Sequence, residues 1–174
     1  LDQLATLSLS PSILRIEAGR RSQALMDTTG IIVSSDKVSA GLGLPQGYTG
    51  KGVVVGVQDI GFDLTHPNFF SADMSRYRIG AMWDQLSTDT LGSTLPVGRD
   101  YTGRDALLAL GHPRDGFIQT HGTHTAGIAA GSGAEGGGVV SPYRGIAYES
   151  DLCFVANATT EDVSLIAPAD YYKY

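Results

Sequence analysis

An α/β domain built on a parallel sheet is the fold that this sequence predicts. Two short apolar runs, VVVGVQD (53–59) and DLCFVAN (151–157), read as strands. Runs of this length and β-branched character suit strands buried on both faces, as in parallel sheets. Between them, HGTHTAGIAA (121–130) holds almost only small residues, which suits a helix packed tightly against a sheet. Strand, connection, helix and strand in that order give a parallel arrangement.

The remaining elements follow in chain order. SILRIEAGRRSQALM (12–26) begins with strand-like alternation, Leu14 and Ile16 against Ile13, Arg15 and Glu17, and then turns polar. SSDKVSAGL (34–42) carries serine ahead of a short helical pattern, with Gly43 as the stop. GYTGKG (47–52) is a turn cluster ahead of the first buried strand, and RYRIGAMWD (76–84) reads as another strand. Residues 85–120 are rich in Gly, Pro, Asp and Thr and irregular, apart from a helical turn at ALLAL (106–110). SGAEGGGVVSPYRG (132–145) reads as a flexible loop, and no internal repeat is visible.

Bulk composition narrows the class. The chain has 174 residues, of which 42% are hydrophobic, enough for the core of one domain and too few for two. A net charge of −6 and the lack of any basic tract argue against nucleic acid or an anionic membrane as partner. Nothing approaches the roughly 18 consecutive apolar residues of a membrane span. LDQLATLSLSPS at the start lacks the charged and apolar regions of a signal peptide. The single cysteine, Cys153, has no internal disulfide partner and lies in an apolar run, so it reads as a buried thiol.

The chemistry concentrates in two places. In open α/β sheets, functional residues collect at the carboxyl ends of strands, and Asp59 stands there after VVVGVQ. His121 would open the small-residue helix, where Gly122 lets another segment approach closely. An acid at a strand end and a base at a helix start could therefore meet. Taken alone, Asp59 could equally form a turn, and His121 and His124 could serve a metal, the packing or a base. The H-x-x-H spacing lacks the i, i+4 separation and acidic residue of zinc peptidase helices.

Longer motifs carry a resemblance. QGYTGKGVVVGVQDIGFDLTHPNF (46–69) resembles the aspartate segment of subtilisin-like serine peptidases, with Gly-Tyr-Thr-Gly, a buried strand, Asp-x-Gly and His-Pro. HGTHTAGIAAGSG (121–133) is similar to that family's histidine segment nearly residue for residue. RGIAYESDLCFVAN (144–157) resembles its Gly-[Val/Ile]-Ala turn and following strand, and WDQ (83–85) resembles a feature of larger bacterial members. The acid before the base is the order of the subtilisin triad. Ile60 departs from the usual Ser or Thr. Asn68 stands where many relatives have a calcium-binding aspartate, so no metal site is carried over.

The resemblance implies a partial subtilisin-like parallel sheet with flanking helices and no cofactor. It makes Asp59 the orienting acid, His121 the general base and His124 a packing residue. Asp63, His66 and Asn68 are then turn-stabilising. The strand after Gly-Ile-Ala would lead into an edge that pairs with peptide substrate, formed here by Ala158, Thr159 and Thr160 and running on to Val163.

The family's Gly-Thr-Ser nucleophile segment and its oxyanion-hole asparagine do not occur, and Ser132, Ser141, Ser150 and Ser164 are in the wrong context. Residues 30–174 thus read as the N-terminal portion of a secreted, cell-surface or periplasmic endopeptidase. That portion would be inactive alone and completed by the C-terminal part of its own chain. Residues 1–29 read either as the end of a prosegment or as an N-terminal arm, and Arg20-Arg21 as a processing site or a solvated pair. Unpaired strand edges would drive self-association. A non-catalytic pseudo-peptidase that binds peptides or partner chains is the rival reading, and an inactive oligomerising fragment a third.

Overall fold

The computed structural model describes residues 26–115, 120–136 and 138–157. Two short helices, α1 (Met26–Ile32) and α2 (Ser35–Ala40), lead into β1 (Val54–Asp59). A 3-10 turn (Pro67–Phe69), β2 (Ile79–Asp84), β3 (Arg99–Thr102) and α3 (Arg104–Leu110) follow. Then come α4 (His121–Ala130), a small hairpin of β4 (Ala134–Gly136) and β5 (Val139–Val140), and β6 (Asp151–Ala156). The main sheet has the order β1-β6-β2-β3. β6 runs parallel to both of its neighbours, with Asp59 opposite Ala156 and Asp84 opposite the same residue on the other side.

One face of this sheet makes the core. Leu152, Phe154 and Ala156 of β6 point alternately inward and meet Ala126 and Ala130 of α4, with Phe62, Phe69 and Leu107 around them. Phe62 stacks on Phe154 with ring centroids 4.4 Å apart, and Phe69 meets Phe154 edge-on at 5.2 Å. These are the offset and T-shaped geometries that aromatic quadrupoles favour. Ile79 and Met82 both reach the core despite odd spacing, because the register with β6 shifts between Ile79 and Ala81. Gly80 is the extra, outward residue of that bulge.

Arg78 ties the layers together. It is 2% exposed, and its guanidinium donates to the carbonyls of Phe70, Ser150, Asn68 and Ala130. Those four carbonyls come from three separate stretches of chain, the 3-10 turn, the end of α4 and the loop entering β6. Burial, and then the charge of Arg76, pull its pKa down to about 10, so it stays protonated at neutral pH.

Several expectations need correction. β1 is not buried on both faces: Val54 is 64% exposed, and residues 54, 56 and 58 form an open side. The reason is position, since β1 is the edge of the described sheet and α4 packs on one face of it. The sheet is mixed rather than wholly parallel, because β3 pairs antiparallel with β2. β3 lies in the stretch expected to be irregular, and α3 extends beyond the expected turn. The expected loop 132–145 contains the β4–β5 hairpin. Gly41, with φ 73°, caps α2 two residues before the expected stop at Gly43. Among the described residues, no helix is long and apolar enough to cross a membrane. The expected strand in 12–26 and the Arg20-Arg21 pair lie outside the described residues, as does all but the last stretch of 1–29.

Candidate active site

The carboxyl end of β1 and the first turn of α4 meet. Gly122 N–H donates to Ile60 O at 2.7 Å, Thr123 N–H to Gly61 O at 3.0 Å, and Asp63 N–H to Thr123 Oγ1 at 2.8 Å. This approach requires glycine at 122. A Cβ there would lie 2.7 Å from Phe62 Cζ and 3.0 Å from Ile60 O.

The stitching brings the two expected residues together. His121 Nδ1 lies 2.7 Å from Asp59 Oδ1 and 2.9 Å from Oδ2. The carboxylate is further fixed by Ile60 N–H on Oδ1 at 2.7 Å and by the Thr125 hydroxyl on Oδ2 at 2.9 Å. An ionised carboxylate only accepts hydrogen bonds, so the imidazole proton sits on Nδ1 and the lone pair on Nε2. Asp59 is shielded, with its side chain 17% exposed, whereas that of His121 is 65% exposed. The arrangement is a base held in one tautomer and open to an incoming proton donor.

Asp63 and His66 stabilise turns as expected, whereas the Asn68 side chain instead ties the 3-10 turn to the segment entering the β4–β5 hairpin. Asp63 Oδ1 accepts from the Thr65 N–H and hydroxyl, His66 Nδ1 accepts from Asn68 N–H, and Asn68 Oδ1 accepts from Gly133 N–H. His124 differs from expectation. It is exposed rather than packed, because the face of α4 that meets the core carries Ala126 and Ala130. Together with Asp63, His66, Thr120, Ile128 and Tyr143 it lines a groove of about 430 Å³. Among the described residues, no group of three His, Cys, Asp or Glu side chains is placed to hold a metal ion. Ala158, Thr159 and Thr160 lie outside the described residues. Asn157, just before them, donates its N–H to Asp59 O at 2.9 Å.

Two contributors escape a reading of the sequence. Thr125 stands four residues after His121, hence on the same face of α4, and that spacing was the available signal. Asp115 gave none, being in an irregular stretch. Its Oδ2 accepts from Gly61 N–H at 2.6 Å, and its Oδ1 is buried with no donor among the described residues. Burial pushes its pKa up, and the nearby charge of Asp84 adds to the rise. Ile60 offers Asp59 its backbone N–H, while the hydroxyl donor comes from Thr125.

Fold and sequence together define the class. The chain matches the model of the subtilase family (peptidase S8) over residues 50–167 and belongs to that family. Among solved structures it is similar to the CspB protease of Clostridium perfringens, at a TM-score of 0.51 and 25% identity. That likeness covers 80% of this chain and 28% of CspB, so the chain spans little more than a quarter of that protein's length. No curated protein matches it.

Proposed function

We propose that this chain carries the acid and the base of a subtilisin-like serine endopeptidase. The observation that supports this best is the Asp59–His121 pair, with Nδ1 on the carboxylate and Nε2 free to act as base. In this reading a serine from outside residues 1–174 supplies the nucleophile. His121 Nε2 takes the serine proton as Oγ attacks the peptide carbonyl, and the tetrahedral adduct forms. The same proton then passes to the leaving amine as the C–N bond breaks, leaving an acyl-enzyme that water hydrolyses. Asp59 holds the tautomer and stabilises the imidazolium.

Ala158, Thr159 and Thr160 are assigned to the edge that receives extended substrate by β-pairing. Their position in the sequence supports this, since they begin two residues after Ala156, the last residue of β6, which pairs with Asp59. Export to the cell surface or beyond fits a peptidase of this family. Residues 1–174 by themselves should not turn over substrate.

The test is labelling of the full-length gene product with a fluorophosphonate serine probe. Labelling that is lost in His121→Ala, with the fold retained by circular dichroism, is the expected result. A folded full-length product that neither labels nor cleaves casein would establish the rival reading, a peptide-binding pseudo-peptidase. Casein turnover by residues 1–174, abolished by His121→Ala, would overturn the inactivity of this portion.

A further inference from the structure

We propose that a second site, independent of Asp59 and His121, binds an anion bearing phosphate or carboxylate oxygens. It is a cavity of about 430 Å³ enclosed by the turn before β1, the segment entering β2, the β4–β5 hairpin and the loop entering β6. These segments lie at the amino ends of the three parallel strands, whereas Asp59 lies at a carboxyl end. Six-residue strands place the two ends roughly 17 Å apart.

The charge of the cavity is opposite to that of the chain. The described residues contain eight lysines and arginines, and Lys51, Arg76, Arg78 and Arg144 line this one cavity. The other four, Lys37, Arg99, Arg104 and Arg114, do not. Glu149 is the single carboxylate of the lining, and it accepts from the Thr49 hydroxyl. Even with Asp151 paired to Arg76, four cations against two carboxylates leave the cavity net positive in a chain of net charge −6.

The deep wall is preformed. A guanidinium has five N–H donors; four of those of Arg78 go to carbonyls, which leaves one on Nη1. All four acceptors are neutral, so this buried charge has no carboxylate in hydrogen-bond contact. Buried charges are ordinarily paired, and an oxyanion in the cavity would supply the pair. Buried Ser132 accepts from Ala134 N–H at 3.2 Å, so its own hydroxyl proton remains to donate. At the rim Lys51 has no ion-pair partner among the described residues, and Arg144 is held 3.7 Å over the Tyr148 ring. Arg76 is ion-paired with Asp151, so it adds field more than a free donor.

The experiment titrates the full-length gene product with inorganic phosphate against chloride at matched ionic strength, and separately with a tetraglutamate peptide, by calorimetry and thermal melting. Arg78 variants would not fold reliably, so the exposed rim is altered instead, as Lys51→Gln with Arg144→Gln. Lys37→Gln with Arg104→Gln serves as the control. Saturable binding of phosphate or of the peptide, weakened about fivefold or more in the rim variant and unchanged in the control, is expected. Binding by phosphate alone identifies a small-anion ligand, and binding by the peptide identifies an acidic segment. His121→Ala should bind like the parent, which keeps this result separate from the peptidase reading. The proposal is overturned if neither probe binds beyond chloride, or if the rim variant binds as tightly as the parent.

Discussion

The Thr125 hydroxyl donates to Asp59 Oδ2 at 2.9 Å from one helical turn beyond His121, so α4 supplies two of the three hydrogen-bond partners of one carboxylate, the Ile60 N–H being the third. Gly122 O lies 3.1 Å from the same hydroxyl, so the one Thr125 proton is shared between the carboxylate and this carbonyl, and the rotamer is held between them. Thr125→Val keeps the shape and removes the donor. Hydrogen bonds to charged groups contribute about 1.5–3 kcal/mol. A loss of roughly 10- to 100-fold in kcat/KM of the full-length enzyme is expected, with KM nearly unchanged. In subtilisin, loss of the orienting aspartate costs about 10⁴ and loss of the histidine about 10⁶ in kcat, so Thr125 should rank below both. A kcat/KM equal to the parent's would remove it from the site.

Asp59 and His121 should separate in stability even though they are hydrogen-bonded to each other. His121 is largely exposed, and truncating such a side chain ordinarily changes stability by less than about 0.5 kcal/mol. Asp59→Ala strands the part-buried Ile60 N–H and leaves the Thr125 hydroxyl only Gly122 O as acceptor. Each unsatisfied group costs about 1–3 kcal/mol where it is buried. Urea unfolding of the two alanine variants should therefore show a clearly lower midpoint for Asp59→Ala alone.

Gly122→Ala tests the stitch between β1 and α4. Part of the clash is with the Phe62 ring, whose stack on Phe154 leaves it little room to retreat, and part with the Ile60 carbonyl. Overpacking of this kind costs typically about 1–3 kcal/mol. Denaturant melts should show that loss, while Gly127→Ala, where nothing lies within 4 Å of the added carbon, should be neutral or better.

The elements that proved legible were those whose signal is local. VVVGVQD and DLCFVAN are apolar runs between turn residues, and HGTHTAGIAA is a small-residue run of helix length, so each declares itself. The Asp59–His121 pairing was legible because both residues sit in long family motifs. What stayed hidden depends on partners distant in sequence. β3 has ordinary residues and exists because β2 offers it an edge. His124 reads as packing by analogy, but the phase of α4 turns it outward. Arg78 looks like any surface arginine until four carbonyls converge on it.

The acidic groups should give the stability of the chain two opposed responses to pH. The Thr94 and Ser93 hydrogen bonds hold the Asp100 carboxyl at about 2, and those of Ser71 and Ser75 hold Asp73 at about 2. A folded value below the unfolded one means that this stabilisation is present above the ordinary carboxylate value, and is lost as pH falls through about 2. Asp84 and Asp115 behave oppositely, because burial raises both. Their folded forms bind the proton more tightly than the unfolded chain, so their cost is absent in acid and grows as pH rises through the raised values. Asp115→Asn keeps an oxygen for the Gly61 N–H and removes a charge beside Asp84. Melting temperature measured from mildly acidic to alkaline pH should therefore decline less in this variant than in the parent. Asp100→Asn should leave that limb unchanged and instead flatten the acid limb. Parallel curves for Asp115→Asn and the parent over the whole range would show that the buried carboxyl does not titrate differently on folding.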